Sequence, residues 1–220
     1  MKKLNAYRGK LTAAQIAEGM NAALENARRL AADAERLLNI GSFPSAASLA
    51  ALAIEEAGKI SILRALSLAR SQTELNDAWK DYRSHTMKNR AWIMPQLVAA
   101  GARKLEDLRV LFDESSNHPY VLDQLKQLGF YTDCLGKALW SKPSDVIDEH
   151  LASSLVHVSK LLSQGSKHSQ REIELWMEHV GPVWKKDMAW MKQGIVNWYA
   201  TMHAEGLVHG DPKGMEEFIR

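Results

Sequence analysis

The sequence predicts an all-α protein, an antiparallel helical bundle with additional helices at its C-terminal end. Three observations carry this. Ile16, Met20, Ala23, Ala27, Leu30, Ala34 and Leu37 recur at steps of four and three, the narrow apolar seam of a packed helix. Residues 46–69 form a second run that is apolar on most sides, as a buried helix is. No stretch alternates apolar and polar residues over a useful strand length, and no internal repeat or low-complexity tract is present.

The elements follow in order. Thr12 and Gln15 have the spacing of a capping box and open the first helix. Its seam is rich in Ala, so a neighbouring helix can approach closely. Gly41 ends it, and Ser42 and Pro44 open the second, with proline in the first turn where its missing N–H is harmless. A third helix is expected from Thr73 or Glu74 through Trp79, Tyr82, His85, Lys88 and Trp92, ended or kinked by Pro95. Residues 96–112 read as a further helical stretch and 113–119 as a loop. Residues 120–140 fit no single pattern; they hold the aromatic pair Phe130-Tyr131 between Gly129 and Gly136. After a break at 141–144, Ser144 can cap a helix over 145–162. A break at 164–166, a short helix over 169–180 and Gly181-Pro182 lead to a long last helix. Trp184, Met188, Met191, Ile195, Trp198 and Met202 form its apolar stripe. The expected organisation is a bundle over residues 12–165, a helical extension over 166–205 and a loose tail over 206–220.

Charge and cysteine content narrow the function classes. The 220 residues carry 28 Lys and Arg against 26 Asp and Glu, a net charge of +2, so the total shows no nucleic-acid or membrane footprint. Cys134 is the only cysteine, which excludes an internal disulfide framework and a multi-cysteine metal site and suits a reducing cytoplasm. The N-terminus has charge but no apolar core after it, so it does not read as a secretory signal. The run 46–69 is long enough to span a bilayer. However, Glu55, Glu56, Lys59 and Arg64 sit mid-span at a cost of several kcal/mol each, so no membrane partner is expected.

Candidate chemistry lies in three clusters. Leu49, Leu52, Ala53, Glu56, Ile60 and Leu63 follow helical spacing, which puts Glu56 on an apolar stripe with Lys59 beside it and Glu55 four before Lys59. Charges in such a setting form either a structural ion pair or a functional site. His85 and Lys88 are three apart and share a face, and Asp81, four before His85, can orient its imidazole. Tyr131 and Asp133 belong to an aromatic stretch with Trp140 and Pro143, which is either core or site lining. The Ala-rich first seam and the Trp/Met stripe are each helix packing or an interface with a partner. Glu-x-x-His pairs, a His-Glu-x-x-His helix, a phosphate loop and a Gly-x-Ser-x-Gly elbow are all missing from the sequence, so metal, nucleotide and hydrolase routes find no support in it.

In order along the chain, Ala53-Ile54-Glu55-Glu56-Ala57-Gly58-Lys59, then Ser84-His85-Thr86-Met87-Lys88, then Gly129-Phe130-Tyr131-Thr132-Asp133 with Pro143 resemble the AbiV-type abortive infection proteins. These are a branch of the HEPN helical-bundle superfamily. The resemblance spans residues 12–162. It implies a phage-defence effector in a bacterial cytoplasm that senses a phage protein and shuts down translation or RNA metabolism. It also implies a homodimer, with RNA as a candidate substrate of metal-independent cleavage, and neither cofactor nor metal. HEPN ribonucleases use a helix-borne Arg and His at a fixed short spacing. Here Arg83 and His85 stand too close, and Arg171 and His179 lie outside the matched region. The implied catalytic site is therefore a composite: His85 as acid and base, Lys88 and Lys59 on the phosphate, and Glu55 or Glu56 holding them. The alternative is a non-catalytic helical protein that binds a phage protein, with the polar cluster as a structural pin.

Overall fold

The computed structural model describes residues 5–113 and 115–219. Residues 1–4, read above as part of a non-secretory start, lie outside the described residues, as do Glu114 of the expected loop and Arg220 of the tail. Helices dominate: α1 (Ala13–Asn39), α2 (Phe43–Leu66), α3 (Gln72–Arg83), α4 (His85–Lys88), α5 (Met94–Ala99) and α6 (His118–Phe130) come first. A hairpin of β1 (Asp133–Leu135) and β2 (Leu139–Ser141) follows. Then come α7 (Pro143–Val146), α8 (Glu149–Leu162), α9 (Gln170–His179), α10 (Met188–Ala204) and α11 (Gly214–Ile219). Among the described residues, no helix is long and apolar enough to cross a membrane.

The expected capping box is formed: Thr12 N donates to Gln15 Oε1 at 3.0 Å and Gln15 N to Thr12 Oγ1 at 3.2 Å. Gly41 closes α1 with a left-handed φ of 75°. Its N–H bonds to Leu38 O and that of Ser42 to Leu37 O, the paired bonds of a Schellman end. Three expectations need correction. The third helix does not continue to Trp92: the Ser84 backbone is extended and its Oγ accepts from Met87 N, ending α3 and starting α4 afresh. The stretch 96–112 is α5 and a separate 3-10 helix, Leu105–Phe112. The helix read as 145–162 is broken at Ile147-Asp148, where the Asp148 side chain caps Leu151 N.

The chain divides into two compact units. One comprises Met1–Met20, Ser61–Arg83 and His168–Arg220. Its core is Leu68, Leu175, Trp176, Val180, Trp198 and Met202, with Trp184 and Ile195 packed against it, so much of the Trp/Met stripe is internal packing. Arg64 lies over the Trp176 and Trp198 rings at 5.5 and 5.2 Å and bonds Glu172 at 2.6 Å. In the tail, α11 carries the buried Ile219.

The other unit comprises Asn21–Ile60 and Ser84–Lys167. Here Ala46, Ala47, Ala50, Ala51 and Ile54 of α2 meet Ala34 of α1, Leu122 of α6 and Ala152, Leu155 and Val156 of α8. The Ala seam of α1 is thus used within the chain. Small side chains let the backbones draw together, and Gly129 of α6 does the same against α2. A Cβ there would meet Ser48 Oγ and stand 3.0 Å from Pro44 O.

Candidate functional site

The candidate site lies wholly in the second unit, where α2, α4 and α6 converge. Gly58 permits the approach of α4: a Cβ at that position would overlap the Lys88 carbonyl oxygen and lie 2.8 Å from its carbon. Asn89 Nδ2 donates to Pro119 O and Trp92 Nε1 to His118 O, which ties the α4 end to the start of α6. Ser48 Oγ donates to Lys126 O at 3.3 Å and fixes the middle of α6 on α2.

These contacts gather five ionisable side chains. Glu55, buried, takes three cationic or protic partners. His85 Nδ1 is 2.7 Å from its Oε2, Lys126 Nζ 2.5 Å from its Oε1, and Lys88 Nζ 3.4 Å from Oε2. Asp123 Oδ1 is 2.7 Å from the same Lys126 ammonium, an ion pair that lies off the direction of a hydrogen bond. Lys126 Nζ also stands 3.3 Å from His85 Nδ1. One ring nitrogen cannot donate to Glu55 and accept from Lys126 at once. The shorter contact to the carboxylate places the proton on Nδ1, and the lysine contact is proximity alone.

Electrostatics follow from these distances. Burial raises the Glu55 carboxyl, but bonds from Lys126 and His85 and the charges of Lys126 and Lys88 outweigh it, so it lies below its ordinary value. Burial likewise disfavours the charged Lys126, and its contacts with Asp123 and Glu55 more than restore it, so it lies above its ordinary value. Glu55 is therefore a fixed anion. The His85 side chain is 56 % exposed, and its contacts with Glu55 and Lys126 both run through Nδ1. The result is a carboxylate–imidazole dyad with a sealed carboxylate and a ring more than half exposed. Glu55, His85 and Asp123 each bring one metal-ligand atom within 4.8 Å of the others. The Lys126 ammonium already lies against both carboxylates there, so the chain supplies its own cation.

Of the residues picked from the sequence, Glu55, His85 and Lys88 come together. Glu56 and Lys59 close on each other at 2.5 Å as a partly buried pair. The helical stripe put Glu56 on the apolar face, whereas Glu55 is the buried member. The reason is that α2 is enclosed on several sides, with Ala53, Ile54 and Glu55 all buried in succession. Asp81 belongs to the other unit, on α3, and the break at Ser84 removes its one-turn relation to His85. Tyr131 and Asp133 are exposed beside and within the hairpin, and the Asp133 carboxylate accepts from Cys134 N. Lys126 and Asp123 escaped the sequence reading. The signal was present: Lys126 falls four after Leu122 and three before Gly129, on the buried stripe of α6.

Neither a curated protein nor a solved structure matches this chain. The sequence model of the AbiV family of HEPN proteins matches residues 15–164, more than half of it. That span holds all five gathered side chains, and the chain belongs to the AbiV family of HEPN proteins.

Proposed function

We propose that this abortive-infection protein defends against phage by cleaving RNA at the Glu55–His85 dyad, without a metal ion. The supporting observation is the 2.7 Å contact from a buried, ionised Glu55 to Nδ1 of His85, a side chain that is otherwise more than half exposed. In this reading Nε2 takes the proton of a ribose 2′-hydroxyl as its oxygen attacks the adjacent phosphorus. The bond to the 5′-oxygen breaks, and the imidazolium returns the proton to that leaving oxygen. The products are a 2′,3′-cyclic phosphate and a 5′-hydroxyl. Glu55 holds the ring in its tautomer and stabilises the transient imidazolium, and Lys88 supports Glu55 rather than the phosphate. His85→Ala is expected to reduce cleavage and cell toxicity by about 10²–10⁴-fold with unchanged helical circular dichroism. Cleavage that requires added magnesium, or that survives in His85→Ala, would overturn the reading.

One observation favours the second reading, a non-catalytic protein that binds a phage protein. The side chains of Glu55, Lys88 and Lys126 are only 4, 8 and 6 % exposed, as a structural pin would be. Under that reading defence persists in His85→Ala, and a phage protein is captured from infected cells by the wild type and by that variant alike.

A further inference from the structure

The unusual feature of the dyad is the amount of positive charge around one carboxylate. Glu55 of α2 faces His85 and Lys88 of α4 and Lys126 of α6, and Asp123 of α6 faces Lys126. A carboxylate beside a histidine, with nothing else near, draws a second proton onto the ring, because the imidazolium is then its only countercharge. A ring held in that state has no lone pair for a substrate proton. In this protein the countercharge is already in place. Lys126 is closer to Glu55 than His85 is, at 2.5 against 2.7 Å, and it is far better shielded from water. Its ammonium also stands 3.3 Å from the ring itself, where it opposes a further positive charge directly.

We propose that Lys126 is a positioning residue that sets the charge of the dyad: lodged against Glu55 and Asp123, it supplies the countercharge that His85 would otherwise supply and keeps the imidazole neutral and basic. Asp123 serves the same end. It stabilises the buried ammonium, so that the lysine remains charged while it neutralises Glu55. Lys88, at 3.4 Å, is the weaker second cation. This assignment rests on the reading of His85 as a general base, but its physical content can be measured without RNA.

The test is a pH titration of the His85 ring carbons by NMR on the full-length protein, with the resonance assigned by its loss in His85→Gln. Lys126→Met is expected to move the midpoint up by about one pH unit, since one buried charge at this distance is of that order. Lys126→Arg, which retains the charge, is expected to restore the wild-type midpoint. Should Lys126→Met alone fail to fold, Lys126→Gln removes the charge but keeps an N–H donor for the two carboxylates, and the same upward shift is expected. A folded variant without Lys126 whose His85 titrates as in the wild type would overturn the proposal. Absence of RNA cleavage by the wild type would instead sink the ribonuclease reading and leave the titration result standing.

Discussion

At the scale of single residues, Glu55 shows how a charge survives inside a helical bundle. Taking it from water is costly, and only three partners on two other helices offset that cost. Removing its charge takes away the carboxylate that the sealed Lys88 and Lys126 ammoniums share, and among the described residues only Lys126 keeps another, Asp123. Glu55→Gln is therefore expected to cost about 3–5 kcal/mol in a denaturant titration. Glu56→Gln, one residue along, breaks a single partly exposed pair, and less than about 1 kcal/mol is expected from the same titration. Equal losses for the two variants would refute the distinction. Both carboxylates were visible as a pair in the sequence, but their ranking was not. Periodicity ranks positions by one face of a helix, and α2 is enclosed on more than one.

At the scale of elements, the glycine in the Glu55–Lys59 motif acts through the helix it admits. Gly58→Ala adds a methyl group that would overlap the Lys88 carbonyl oxygen, so α4 must move away and carry His85 with it. Alanine favours helix by about 1 kcal/mol over glycine, yet a net loss of about 1–3 kcal/mol is expected from the forced repacking. Thermal melts of the variant check this, and a melt at or above that of the wild type would count against the close approach. The hairpin behaves differently. Leu139 and Trp140 are 71 and 72 % exposed, so Trp140→Ala is expected to change stability by less than about 0.5 kcal/mol. A larger loss would show that Trp140 is covered in solution. Ser84 carries the lesson at this scale. Serine is favoured at N-caps over helix interiors, and the extended Ser84 backbone with its bond from Met87 N starts the new helix at His85.

At the scale of the whole molecule, two buried carboxylates tie stability to pH. Burial raises Glu172 as it does Glu55, but His168 and Arg64 outweigh it, and its folded value lies below the ordinary 4.5. Each group then binds a proton more readily in the unfolded chain. Their contribution is complete above pH 4.5 and is lost as pH falls below that value through the folded ones. Melting temperature is expected to fall steeply in this acid range, and Glu55→Gln to flatten part of the slope. An identical slope in the variant would remove Glu55 from the account.

What the sequence determined by itself was the helical class, the capping box at Thr12, the turn at Gly41, the family motifs and the candidacy of Glu55, His85 and Lys88. These depend on local spacing, propensity and residue chemistry, which a chain carries wherever it folds. Only the tertiary structure decided that Glu55 rather than Glu56 is sealed, and that Lys126 and Asp123, some seventy positions along, complete the charge. It also decided that Asp81 and His85 stand on separate helices, because α3 ends at Arg83. The physical reason is that neutralising a buried charge depends on distance in space, and helix packing sets that distance between segments whose local patterns carry no record of one another.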